Sequence, residues 1–295
     1  MRKCLAFVLG GGGARGALQV GALRALFENG YQPDLLVGTS IGAANAVALA
    51  LWGVNLDGIA VLEKVYQAVA EAHLMDPRLG RLTLRALSMR PNYHASQRIR
   101  DFFITTGISP SLRFDQIRNI RLGLVASDLD SGQPVIYGLD PGQSVLDGLM
   151  ASIALPPWFA PVEKDGQLIV DGGAVSNVPI EPALTLGATE IIALDLNDPA
   201  YQFGNELGLS QYIEKLVFAV TQRQIHLEAA LARAQGVPVH LVKLRSLTPT
   251  PIWEFKTYRD LMTIGYEVAS HKIANWNNNG RAELTFSSSI SISSD

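Results

Sequence analysis

Twice within its first fifty residues the chain runs from a short apolar stretch straight into a segment with apolar residues at helical spacing. Residues 5–9 lead to 16–28, and residues 35–37 lead to 41–51. Alternation of this kind lays successive strands parallel in one sheet and covers that sheet with the intervening helices. Strand-like runs return in IRLGLVASDL, PVIYGL, QLIVDGG and EIIALDL, separated by turns rich in Gly, Asp and Pro. Sheet-forming segments therefore extend along most of the chain, which predicts one α/β domain over residues 1–285, a three-layer α/β/α sandwich with a mainly parallel central sheet. Within it, NLDGIAVLEKVYQAVAEAHL and ASQRIRDFFITTG read as amphipathic helices, and the irregular stretch between them suggests a surface cap over 74–115. Residues 209–234 and 254–275 read as long helices flanking a last strand, VPVHLVKL, and 286–295 as a frayed low-complexity tail.

Composition narrows the function classes. Apolar residues make up 48% and charged residues 17%, the balance of a packed globular enzyme. A net charge of −3 with scattered arginines gives no electrostatic footprint for nucleic acid. Cys4 is the sole cysteine, so no internal disulfide and no thiolate cluster is expected, and no His-Glu-x-x-His occurs; no metal site is predicted. The opening MRKCLAFVLGGGG imitates a signal peptide, but its apolar stretch is short and Arg15 falls where that stretch should continue. Residues 41–52, IGAANAVALALW, are too few to span a bilayer. The expectation is a cytoplasmic protein without signal peptide or transmembrane helix, whose membrane contact is transient and peripheral.

Three motifs carry chemistry. In DLLVGTSIGAANAV a strand meets a helix at Gly38-Thr39-Ser40-Ile41-Gly42. Such a Gly-x-Ser-x-Gly turn is sharp; the flanking glycines leave room for the serine hydroxyl to project at a helix N-terminus. The pattern arises readily in a chain with 27 glycines, so its strand-turn-helix setting is what gives it weight. Gly10 to Gly13, with Arg15 and Gly16, follow the first strand, where successive N–H groups can curl into a nest for an oxyanion facing Ser40. Arg15 either pins this loop or attracts a phosphate. The third motif, LIVDGGAVSNVPI, ends an apolar strand on Asp171, followed by Gly172 and Gly173. On its own Asp171 reads as a turn cap. The five histidines, His73, His94, His226, His240 and His271, lie outside any glycine-rich or strand-end context and read as structural or solvated.

Taken together and in this order, the glycine loop, Gly-x-Ser-x-Gly and Asp-Gly-Gly resemble the patatin-like phospholipase family. ASIALPPWFAPV is similar to that family's Ser-containing, Pro-rich segment, and LVASDLDSGQPVIY to its Ala/Ser-x-Asp-Leu-x-x-Gly strand and turn. The resemblance covers residues 5–195. It implies a patatin-like fold and a lipid acyl hydrolase acting on phospholipids or other fatty acyl esters, with no cofactor. It implies Ser40 as nucleophile, Asp171 as its partner in a dyad, and an oxyanion hole from the N–H groups of Gly11, Gly12 and Gly13. The turn geometry adds the Ile41 N–H as a fourth donor. A carboxylate base for a hydroxyl must be largely buried so that its proton affinity rises.

Other readings stay open. A Ser-His-Asp hydrolase would require one of the histidines. A dinucleotide-binding oxidoreductase would use Gly-x-Gly-x-x-Gly at Gly11, Gly13 and Gly16 with Asp34 as ribose ligand, although Asp34 precedes its strand instead of ending it. A non-catalytic lipid-binding module would keep the fold alone. Trp158 and Phe159 either line an acyl pocket or pack in the core; Trp253 and Phe255 either form a lipid rim or start a buried helix; Ser152 either shapes the site or caps a turn.

Overall fold

The computed structural model describes residues 3–72, 92–197, 209–246 and 250–278. Eight strands form one sheet: β1 (Leu5–Leu9), β2 (Leu35–Thr39), β3 (Arg121–Asp128), β4 (Pro134–Tyr137), β5 (Val162–Lys164), β6 (Gln167–Asp171), β7 (Glu190–Asp195) and β8 (Val239–Lys243). Their order is β5-β6-β3-β2-β1-β7-β8, with β4 also on β3. The five strands from β3 to β8 run parallel, while β4, β5 and β6 are antiparallel additions at one end.

Eight helices are described: α1 (Gly16–Glu28), α2 (Ile41–Trp52), α3 (Leu56–Ala72), α4 (Tyr93–Thr105), α5 (Val145–Ser152), α6 (Ile180–Thr185), α7 (Leu209–Ala234) and α8 (Tyr258–Asn278). Because successive strand side chains point to opposite faces, β1 splits into two sets. Leu5, Phe7 and Leu9 join a core with side chains of α1, α2, α3 and α8, whereas Cys4, Ala6 and Val8 join one with α6 and α7. Two covered faces make the expected three layers. A one-residue slip of β1 would exchange the two sets, which fixes its register.

The expected bounds of the first helix, 16–28, hold to the residue, and β2 extends two residues past the expected 35–37. The last helix begins at Tyr258 instead of residue 254, because the Glu254 side chain accepts the Lys256 N–H and folds residues 255–257 into a 3-10 turn. Of the expected cap, α4 lies among the described residues and residues 74–91 lie outside them; the tail 286–295 and His73 also lie outside.

One register decides where the chemistry sits. β2 pairs with residues 121–125 of β3, ending at Thr39 opposite Val125. β6 runs the other way and pairs with residues 126–128, ending at Asp171 opposite Ala126. Since β4 occupies the opposite edge of β3 over residues 124–127, β2 and β6 share one edge and meet end to end. Both motif-bearing turns leave the sheet at this junction.

Candidate active site

Ser40 stands between β2 and α2 with φ 55° and ψ −124°, a region that a side chain makes unfavourable. Strain of this kind, about 1–3 kcal/mol, persists only where the surroundings hold it. Here the Ser40 N–H donates to Ser152 Oγ at 2.9 Å, and the Ser152 hydroxyl donates to the Val125 carbonyl at 2.6 Å. Ser152 ends α5 and is fully buried, so it shapes the site and the turn-cap reading fails. On the other side of the turn, the Thr39 hydroxyl donates to the Ser176 carbonyl at 2.9 Å. A methyl on Gly42 would lie 2.1 Å from the Leu9 carbonyl oxygen, and one on Gly38 2.4 Å from that of Gly42. The turn closes this tightly only with glycine at both places.

Asp171 is 4% exposed. Its Oδ1 accepts the Gly173 N–H at 2.8 Å, while Oδ2 is buried with no hydrogen-bond partner among the described residues. Burial pushes its pKa up to about 6, and the facing Ser40 hydroxyl and the Gly173 N–H hold back a larger rise. The hydroxyl is thus near enough to act on the carboxyl, without a hydrogen bond of normal geometry closing the gap. Catalytic contacts that tighten only with substrate have this form. Gly172 lets the turn pass β3, since a methyl there would sit 2.2 Å from the Val125 oxygen.

The glycine loop abuts this pair. A methyl on Gly11 would come within 3.2 Å of Ser40 Cβ and 2.6 Å of Asn177 Oδ1. The Gly11 N–H donates to the Asn177 carbonyl at 3.0 Å. That corrects one expectation: with its N–H engaged in holding the loop, Gly11 is not a free oxyanion donor. The N–H groups of Gly12 and Gly13 find no acceptor among the described residues. Gly13 adopts φ +58°, and the Arg15 Nε donates to the Gly12 carbonyl at 3.2 Å, so Arg15 pins the loop as one of its two readings required. Gly16 opens α1 in close approach to Ile41 and Tyr66. As the first residue of α2, Ile41 carries one of the N–H groups that a helix leaves without an internal partner.

An apolar cavity begins at Ile41. Ile41, Ala44, Ala48 and Trp52 of α2 form one wall, and side chains of α3 and α4 together with Phe255 form the rest. With its open mouth it holds about 670 Å³ of empty space. Its polar lining is engaged: the Tyr66 hydroxyl donates to Asn45 Oδ1 at 3.2 Å, and Asn45 Nδ2 donates to Gln19 Oε1 at 3.0 Å. Of the aromatics singled out in the sequence, Phe255 lines this cavity. Phe159 is buried in packing, and Trp158 stacks on Trp253 with ring centres 6.3 Å apart.

The rival sites separate. Asp34 Oδ2 accepts the Leu5 N–H at 2.9 Å at the amino end of the sheet, opposite the glycine loop, where no ribose held by that loop could reach it. His240 Nε2 lies 3.4 Å from Glu190 Oε1, and His271 sits on α8 beside Asn275. Asp195 at the end of β7 is likewise pushed up to about 6 by burial, with Oδ1 on the Asn197 N–H and Oδ2 buried without a partner among the described residues, but the Ser40 hydroxyl acts on Asp171 and not on it. The sequence did not flag Asp195, and it offered Ser152 as one of two readings without its contact to the Ser40 N–H, since both depend on segments that meet only in the folded chain.

A family model for the patatin-like phospholipases matches residues 7–184. The chain belongs to that family. It is 29% identical over 283 residues to a patatin-like phospholipase domain-containing protein of Caenorhabditis elegans, an alignment covering 89% of this chain and 20% of that protein. It is 32% identical over 216 residues to an uncharacterized NTE family protein of Mycobacterium tuberculosis, covering 73% of this chain and 53% of the other. The chain thus spans about half or less of these relatives' lengths. Among solved structures, VipD from Legionella pneumophila aligns over 92% of this chain and 67% of its own, at 14% identity and a TM-score of 0.49.

Proposed function

We propose that this patatin-like protein is a lipid acyl hydrolase that cleaves fatty acyl esters through an acyl-Ser40 intermediate. The observation that carries the reading is the buried Asp171 carboxyl with the Ser40 hydroxyl near enough to act on it, at a strained turn beside a glycine loop. Asp171 takes the hydroxyl proton as Ser40 Oγ attacks the ester carbonyl carbon, so negative charge passes to the carbonyl oxygen. The N–H groups of Gly12, Gly13 and Ile41 receive that charge; one such donor is typically worth about 2.7–4 kcal/mol. Asp171 then returns the proton to the departing alcohol. Water then gives a proton to the same carboxylate as it attacks the acyl carbon, and Asp171 passes that proton to the departing Ser40 oxygen as the acid is released. The steps balance with neither a histidine nor a cofactor.

The substrate class follows from the cavity. Its apolar walls suit a fatty acyl chain more than a charged acyl group. Phospholipids and other fatty acyl esters both meet that requirement.

The test is labelling with a fluorophosphonate probe, read by mass spectrometry on wild type, Ser40→Ala and Asp171→Asn. The adduct is expected on Ser40, absent in Ser40→Ala and strongly reduced in Asp171→Asn. A folded wild type that takes no label would sink the proposal and favour a non-catalytic lipid-binding module.

A further inference from the structure

The amphipathic helix α7 faces the wrong way for a protein surrounded only by water. Its inward side is ordinary: Thr221, Ile225, Glu228, Ala229 and Ala232 are buried. Its outward side carries Tyr212, Leu216, Val217, Val220, Leu227 and Leu231, all exposed, with Leu216 and Val217 each 58% accessible. At 3.6 residues per turn these six fall on one side of the helix in two groups, Tyr212 to Val220 and Leu227 to Leu231, with Arg223 between them. Single exposed apolar residues are normal on a protein surface; six on one side of one helix signal a contact.

The helix also has a defined direction. Its far end leads through Pro238, whose carbonyl accepts the Ile191 N–H at the amino end of β7. In its middle, Gln224 Nε2 donates to the Ala174 carbonyl at 3.0 Å, three residues after Asp171 at the opposite edge of the sheet. The fifteen residues from Leu209 to Arg223 therefore extend about 22 Å past the turn that holds Asp171. Over this projecting part Lys215, Leu216, Val217, Ala219 and Val220 are all exposed.

Charge selects the occupant. The exposed charged groups described on α7 are Lys215, Arg223 and Arg233; His226 lies on the same border, and no exposed carboxylate is described on the helix. Lys215, His226 and Arg233 follow one border of the apolar stripe, and Arg223 falls within it. Apolar side chains that enter an acyl layer beside cations that meet head groups match the surface of an anionic bilayer. We infer that α7 docks this protein onto anionic phospholipid bilayers through that stripe, with the Ser40 edge of the sheet turned toward the lipid. The inference deepens the acyl-hydrolase reading by naming where the enzyme would meet its substrate.

The experiment is co-sedimentation of the full chain with vesicles of phosphatidylcholine mixed with phosphatidylserine, compared with phosphatidylcholine alone. Wild type is expected to pellet with the mixed vesicles and to be released by high salt. Leu216→Glu with Val220→Glu should lower the bound fraction roughly tenfold or more. Its unfolding temperature and its hydrolysis of a soluble short-chain ester should stay at wild-type values. Lys215→Glu with Arg223→Glu should remove the preference for phosphatidylserine, and it carries the test should the first pair fail to fold. Wild type left in the supernatant, or variants that bind as wild type does, would overturn the inference. So would light scattering that finds a dimer dissociated by the glutamates, since the stripe would then belong to a second copy. A protein that binds vesicles yet labels no serine would leave this inference standing and sink the proposed activity.

Discussion

Replacing Asp171 by Asn should abolish esterase activity and make the protein more stable. The carboxyl is fully enclosed, and its pKa is raised from 3.8 to about 6. Below about pH 4 the carboxyl is neutral folded and unfolded alike; above about pH 6 it is ionised in both, and the native state then holds a buried charge. Its contribution to stability therefore declines as pH rises between those limits. A shift of about two units at about 1.4 kcal/mol each makes the ionised group a liability of roughly 3 kcal/mol near pH 8. Asn has nearly the same shape, keeps an oxygen for the Gly173 N–H, and presents an amide to the Ser40 hydroxyl. Urea unfolding of wild type and Asp171→Asn at pH 8 should differ by about 2–3 kcal/mol in favour of the variant, falling to about half that near pH 5 and to nothing below pH 4. Measuring the difference at each pH cancels the contributions of other buried acids such as Asp195 and Glu228. A variant no more stable than wild type at pH 8, or an advantage that does not change with pH, would refute the reasoning.

Three further outcomes follow from the same geometry. The kcat/KM for a soluble ester should be flat above about pH 6 and fall about tenfold per unit below it, as Asp171 becomes protonated and can no longer accept the Ser40 proton; a profile level down to pH 5 would exclude it as the base. Ser152→Ala leaves the Ser40 N–H without its acceptor, so kcat should drop about tenfold at constant KM, with a stability loss of about 1–2 kcal/mol by urea unfolding. Ala44→Phe narrows the cavity beside Ile41; competition assays should show long-chain esters losing roughly tenfold or more in kcat/KM while a short-chain ester is spared, since each CH₂ left unburied forfeits about 0.8 kcal/mol.

Local pattern made much of this molecule legible. The strand-helix alternation at residues 5–51 located β1, α1, β2 and α2, because apolar period and glycine punctuation are properties of neighbouring residues. The short elements escaped: α5, α6 and the three-residue β5 offer too few turns or alternations for a period to emerge. Three features of the candidate site depend on distant pairing. The antiparallel direction of β6 decides that Asp171 ends against Thr39 of β2, yet its residues would read equally well as a parallel strand. The role of Ser152 depends on α5 reaching under Ser40, and the engagement of the Gly11 N–H depends on Asn177 lying beside the loop. The cavity is written into four separate segments and belongs to none of them.

The end-to-end meeting of β2 and β6 on β3 also governs when, during synthesis, the proposed Ser40–Asp171 pair can form. Ser40 leaves the ribosome about 130 residues ahead of Asp171, and β3 must be laid down before either has a fixed neighbour. A nascent or truncated chain that stops short of β6 carries the serine turn without its carboxylate. Pairings across such a separation form late, because closing the loop precedes any gain from the contacts. On the proposed mechanism, hydrolysis therefore waits until β6 has paired with β3, and a chain that stops before Asp171 should take no label on Ser40.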